Sequence, residues 1–111
     1  MSKYIVTGGA GFIGSHVVEY LVKRKKKVIV LDNLSTGRLE NLKDFIKDIK
    51  FIKCDLSKKG NWNKEFSGKY YVIHLAALAD IVPSIQDPKK YFESNVSSTL
   101  NLLEASKKEK F

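Results

Sequence analysis

A chain of 111 residues that is 43% hydrophobic and 29% charged is one domain or part of one, with apolar residues enough for a packed core. No apolar run nears the ~18 residues that span a bilayer. No signal core follows Met1-Ser2-Lys3, and the single cysteine, Cys54, excludes an intrachain disulfide. The expectation is a cytoplasmic protein with no membrane association, and Cys54 reads as a small buried hydrophobe. The net charge of +8 gathers partly in Lys23-Arg24-Lys25-Lys26-Lys27. That run falls between a helical and a strand pattern, so it reads as a helix C-terminus and turn, where positive charge is favourable. No aromatics interleave with it for base stacking, which argues against a nucleic-acid partner.

In chain order, the first apolar run is Tyr4-Ile5-Val6, and Thr7-Gly8-Gly9-Ala10-Gly11-Phe12-Ile13-Gly14 follows at once. Gly8 suits the unusual backbone angles of a tight turn after a buried strand. Gly11, without a Cβ, lets the backbone approach a pyrophosphate, and Gly14, on the first turn of the following helix, lets that helix pack against the sheet. That helix is marked by Ile13, Val17 and Leu21, with Val18 and Val22, at helical spacing. Its free N–H groups and positive end would point at the phosphates.

The second run, Val28-Ile29-Val30-Leu31, ends on Asp32. A carboxylate at the end of this strand, roughly 20 residues beyond the glycines, accepts from both hydroxyls of an adenosine ribose. It would repel a 2′-phosphate, which favours NAD over NADP. The alternative is a plain strand-to-helix turn, with Asp32 capping the segment after it.

Leu39, Leu42, Phe45 and Ile46 form a weaker helical pattern before the third run, Phe51-Ile52 leading to Cys54. Asp55 then either accepts from an adenine amino group or caps a helix. A short helix around Trp62 to Phe66 is expected between turns at Gly60-Asn61 and Gly68-Lys69. The fourth run is Tyr71-Val72-Ile73, continuing to Leu75. His74 within it reads as structural, while Ala76 and Ala77 are small enough to let the chain pass close to a dinucleotide. In the last helix, Asp87 can cap, Pro88 suits the first turn, and Phe92, Val96, Thr99-Leu100 and Leu103 form one stripe. His16 lies on the first helix, packing or facing solvent. With two histidines and one cysteine, no metal-ligand cluster is visible.

Strands and helices in this alternation predict an α/β, Rossmann-like doubly wound parallel sheet with strand order 3-2-1-4. A complete dinucleotide fold has about six strands, and a fifth would begin near Lys107-Lys108-Glu109-Lys110-Phe111. Residues 1–111 therefore read as the N-terminal part of a dinucleotide-binding domain, cut before strand 5 and without its catalytic and substrate regions.

Thr7 to Ser15, Asp32-Asn33-Leu34-Ser35-Thr36-Gly37, Asp55-Leu56, His74-Leu75-Ala76-Ala77 and Asn95-Val96 occur in the order and spacing of one family. The chain resembles the extended short-chain dehydrogenase/reductases, specifically the NAD-dependent epimerase/dehydratase group. The segment from Ala79 to Pro88, with Thr99-Leu100-Asn101-Leu102-Leu103-Glu104-Ala105, is most similar to the nucleoside-diphosphate-sugar 4-epimerases.

The resemblance implies that Gly8, Gly11, Phe12, Ile13 and Gly14 hold the pyrophosphate of NAD. It implies that Asp32, Asn33 and Ser35 surround the adenosine ribose and nearby phosphate, and that Asp55 and Leu56 bind adenine. Leu75, Ala76 and Ala77 would line the cofactor, Asn95 would be a polar residue on its side of the long helix, and the loop around Ser84 would border the sugar pocket. Ala79 stands where some 4-epimerases carry a lysine near the phosphates.

The intact protein would act by transient oxidation and reduction at C4 of a nucleoside-diphosphate sugar, with a 4,6-dehydratase or decarboxylase as the sibling reading. A homodimer is common among such relatives. The family's chemistry needs a tyrosine with lysine four residues later. None of Tyr4, Tyr20, Tyr70, Tyr71 or Tyr91 meets that, so no catalytic residue is assigned and the chain alone is expected to be inactive. A non-catalytic dinucleotide-binding module is the alternative from another class.

Overall fold

The computed structural model describes residues 3–68 and 70–111; Met1, Ser2 and the Lys69 of the expected second turn lie outside the described residues. The four apolar runs form strands β1 (Lys3–Thr7), β2 (Lys27–Asp32), β3 (Ile49–Lys53) and β4 (Tyr70–His74). All pairings are parallel and the sheet order is β3-β2-β1-β4, the order the pattern predicts. Cys54 and Leu75, expected at strand ends, each add one further bond, Cys54 N–H to the Asp32 carbonyl and Leu75 N–H to that of Thr7, both 3.1 Å.

The near-continuous apolar character of β1, β2 and β4 has a direct cause, since both sheet faces are covered. Along β1, Ile5 joins one buried cluster and Val6 the other. Helix α1 (Phe12–Lys23) covers the second face, where Val18 and Leu21 meet Val28, Val30 and Leu42. The first face is covered by the turn Asn61–Phe66 and by the last helix, with Trp62, Phe66, Leu102 and Ala105 over Ile5, Ile29 and Leu31. Lys25 ends α1 in the left-handed conformation, with Lys26 N–H bonded to the Leu21 carbonyl and Lys25 N–H to that of Val22. The basic run is thus a helix end and turn.

Two expectations change. Leu39, Leu42, Phe45 and Ile46 do not form one helix but two 3-10 turns, Leu39–Leu42 and Ile46–Asp48. Only Leu42 is fully buried, and so short a segment with one anchor does not repay helix nucleation. The second change is in the last helical segment. It runs through α2 (Ile81–Gln86), α3 (Pro88–Phe92), a wide π-helical turn (Glu93–Ser97) and α4 (Ser98–Glu109). Asp87 caps α3 by accepting from Lys90 N–H, with Pro88 at its start, as expected.

The stripe of Phe92, Val96, Leu100 and Leu103 does not face the sheet: each of the four is about half exposed. The buried face of α4 is Ser98, Leu102 and Ala105. Leu100 and Leu102 point about 200° apart around a helix. The small residues flanking Leu102 let α4 lie close over the β1 and β2 side chains, so the bulky row is left outside.

Candidate functional site

Parallel strands bring their carboxyl ends to one edge, and the register aligns Thr7 with Leu31 and His74, and Asp32 with Lys53. Beyond that edge lies a cavity of about 470 Å³, within the range typical of small-molecule sites. It is lined by Gly8, Gly11, Phe12, Ile13, Gly14, Asp32, Asn33, Ser35, Asp55, Leu56, Leu75, Ala76 and Ala77. Every residue in the expected cofactor set except Asn95 therefore reaches the same space.

The glycines divide by what a side chain would meet. Gly8 has φ +68°, and a Cβ there would sit 2.8 Å from Ala76 N, inside the β4 exit loop. A Cβ on Gly14 would collide with the Gly8 carbonyl oxygen and the Gly9 backbone, so this glycine lets α1 close on the loop before it rather than on the sheet. Gly11 differs from both. Its backbone is extended, and only the Gly8 oxygen, at 3.3 Å, lies near the place of a Cβ. Packing demands glycine less strictly there than at Gly8 or Gly14, since the Gly8 carbonyl would have to give by only a few tenths of an ångström, and the missing side chain leaves cavity space open.

Gly11 is also the N-cap of α1, with no side-chain cap and no acidic residue in the first turn. The positive helix end thus opens on the cavity uncompensated, as an anion site needs. Phe12 and Ile13 at this rim are 79% and 66% exposed. Such apolar exposure at a cavity mouth suits coverage by a ligand.

Asp32 caps the segment after it and lines the cavity as well. It is buried, its Oδ2 accepts from Ala10 N–H at 2.9 Å and its Oδ1 from Leu34 N–H at 2.7 Å. It thus fastens the loop after β2 to the glycine loop, and a carboxylate has about four acceptor sites, so two bonds leave capacity for hydroxyls. Ala10 binds the same loop from its other side, its carbonyl accepting from Arg38 N–H and Asn41 Nδ2. Asn33 Oδ1 accepts from Ser35 N–H, and Asp55 Oδ1 accepts from both Ser57 N–H and its hydroxyl. Asp55 therefore caps a turn while also lining the cavity. Cys54 is half-buried rather than buried, and lines the cavity too. Burial pushes its thiol up to about 11, with Asp55 and Asp32 adding to the rise, so it stays protonated and inert near neutrality.

The opposite wall is the stretch 75–79 after β4. Asn95 stands behind this wall, outside the cavity: its Nδ2 donates to the Leu78 carbonyl and its Oδ1 accepts from Leu78 N–H, both at 2.8 Å. Ser84 lies in α2 with its hydroxyl turned back to the Ile81 carbonyl, and does not line the cavity. His74 is half-buried between Thr7 and Thr99, consistent with the structural reading. His16 is largely exposed, beside Glu19 and edge-on to Phe12. Among the described residues there is no cluster of metal-ligating side chains.

Sequence reasoning passed over several lining residues. Gly37 is one: a Cβ there would meet Ala10 C at 2.9 Å and Asp32 Oδ2 at 3.0 Å. Lys90, Ser94 and Ser98 also line the cavity, with Glu93. Three of these recur at every fourth position, a polar row beside the apolar stripe, and that row was the available signal. Ala79 lines the cavity, where Lys90 is the cationic residue.

The family model described as the NAD dependent epimerase/dehydratase family matches residues 4–111. UDP-glucose 4-epimerase of Streptomyces lividans is 39% identical over 106 residues, 93% of this chain and 31% of that protein. The enzyme of the same name from Haemophilus influenzae is 41% identical over 110 residues, 94% and 32%. Among solved structures, UDP-glucose 4-epimerase of Thermus thermophilus, in complex with NAD, superposes with TM-score 0.86 at 43% identity, over 97% of this chain and 34% of that one. UDP-N-acetylglucosamine 4-epimerase of Methanobrevibacter ruminantium, in complex with UDP-N-acetylmuramic acid, gives 0.89 at 40%, over 99% and 35%. The chain spans about a third of the length of these relatives.

Proposed function

The chain belongs to the NAD dependent epimerase/dehydratase family, and from that premise we propose that its cavity seats NAD as the cofactor portion of a UDP-sugar 4-epimerase. The observation that carries the reading is Gly11, the glycine whose missing side chain keeps open the cavity at an uncapped helix end. The pyrophosphate would lie on Gly8, Gly11, Phe12, Ile13 and Gly14. Asp32, Asn33 and Ser35 would take the adenosine ribose and nearby phosphate, Asp55 and Leu56 the adenine. Leu75, Ala76 and Ala77 would form the facing wall, with Asn95 supporting it and Ser84 toward the sugar. NAD, when bound, supplies a reversible hydride acceptor. The chain's own part is to orient that group and exclude water from it.

The relatives' names support a UDP-sugar as substrate of the intact protein; transient oxidation at C4 and a cytoplasmic location are what the resemblance implies for it. The half-exposed row from Phe92 to Leu103 supports the homodimer that the resemblance implies.

Calorimetric titration of the chain with NAD and NADP, with circular dichroism to follow folding, tests the cofactor site. NAD is expected to bind in preference to NADP. Gly11→Val is expected to stay folded and lose NAD binding, because its backbone is extended and the new methyls enter the cavity. Asp32→Ala should erase the preference for NAD. It should also cost about 1–3 kcal/mol by leaving the buried Ala10 N–H without its acceptor. A folded wild type that binds neither dinucleotide, or a Gly11→Val variant that binds NAD normally, removes the assignment.

A further inference from the structure

The facing wall carries an uninterrupted hydrogen-bond chain that fixes the proton positions of an imidazole. Thr7 is fully buried, and its hydroxyl oxygen accepts from Leu75 N–H at 3.0 Å and from Ala76 N–H at 3.2 Å. Leu75 N–H is shared with the Thr7 carbonyl, whereas Ala76 N–H bonds to the Thr7 hydroxyl. With two N–H groups directed at its oxygen, the hydroxyl's own hydrogen is left for His74 Nδ1, 2.6 Å away. Nδ1 is then the acceptor, and the ring proton belongs on Nε2, which lies 3.0 Å from Thr99 Oγ1. Thr99 in turn donates to the Asn95 carbonyl at 2.7 Å. From Ala76 to Asn95 each donor has one acceptor and each direction is set by its neighbour.

We propose that His74 is a positioning residue for the cofactor wall: as the Nε2–H tautomer it holds the Thr7 hydroxyl so that its oxygen faces Ala76 N–H. The wall has little tolerance, since Ala76 N already lies where a Cβ on Gly8 would come within 2.8 Å. Thr7 and Ala76 lie 69 residues apart in sequence, and the hydrogen bonds continue through Thr99 to Asn95, the residue that clamps Leu78. One imidazole therefore ties β1, the β4 exit and the long helix together. This role rests on the cavity being the NAD site.

The tautomer is read first, by long-range 1H–15N correlation on the imidazole of the wild-type chain above pH 7.5, without ligand. The expected pattern is Nε2 protonated and Nδ1 accepting. Hydrogen exchange at Ala76 is then compared among wild type, His74→Phe and His74→Asn, again without ligand. His74→Phe keeps the ring's bulk and should speed exchange at Ala76 and weaken NAD about fivefold, the scale of one lost hydrogen bond. His74→Asn, whose Oδ1 can take the place of Nδ1, should recover most of both. Should His74→Phe fail to fold, Thr99→Val removes the Nε2 partner from outside the cavity and should raise the Nδ1–H population. An Nδ1–H imidazole in the wild type overturns the proposal, as does Ala76 exchange unmoved by His74→Phe. A wild type with the expected tautomer and protected Ala76 that binds no NAD overturns the cofactor reading instead, leaving the hold on the wall intact.

Discussion

The two walls of the cavity reach similar closeness by opposite means. The glycine-loop wall is shaped by deletion: at Gly8 and Gly14 a Cβ would strike backbone, so the chain can pass only where side chains are absent. The wall at residues 75–79 contains no glycine and is placed by addition, through Thr7, Asn95 and the His74–Thr99 chain. The first device acts within a few residues of sequence. The second joins positions as far apart as Thr7 and Ala76, and depends on hydrogen bonds that can be lost singly.

If this contrast is right, the glycine wall should fail as a block and the other wall by increments. The largest effect is expected of Gly14→Ala, whose methyl meets the Gly8 carbonyl and Gly9 backbone with no flexible side chain to yield. A loss of about 3 kcal/mol is expected, a fall in Tm of roughly 10 °C or more for a domain this size, measured by thermal unfolding. A variant as stable as wild type would show that the loop can relax, and the contrast would dissolve.

Asn95→Ala should be milder. It removes both bonds to Leu78, but this wall is only part-buried and water can partly replace them. About 1 kcal/mol of stability and a several-fold loss of NAD affinity are expected from denaturant unfolding and calorimetry. A loss as large as that of Gly14→Ala would mean the second wall is no less cooperative than the first.

The smallest effect is one of pH and belongs to the second wall alone. Burial holds His74 below the ordinary 6.5, with no charged neighbour contributing. A histidine whose folded pKa is lowered adds stability that is fully present above 6.5 and is lost as pH falls through the folded value. Tm should therefore decline slightly between neutral and mildly acidic pH, and His74→Phe should flatten that component. The same decline in His74→Phe would assign it to other groups.

Much of this was legible in the sequence, for a physical reason. A strand buried on both faces must be apolar throughout, and a turn without room for Cβ must be glycine, so β1, α1, β2 and the lining residues from Gly8 to Asp32 each leave a local mark. The same holds for the Asp87 cap and for the basic end of α1. The stripe of Phe92, Val96, Leu100 and Leu103 was just as visible, yet which helix face meets the sheet depended on how closely Ser98 and Ala105 let α4 approach.

Leu39 to Ile46 had a periodic pattern but buries only Leu42 fully, too little anchoring for so short a segment to hold a full helix, so it became 3-10 turns. Tertiary structure alone decided that Asp32 serves the glycine loop and the cavity at once, that Lys90 and Ser94 face that cavity, and that Thr7 and Thr99 take His74 between them. Sequence specifies what each residue can tolerate locally; which distant groups complete its hydrogen bonds is settled only when the sheet brings the strand ends to one edge.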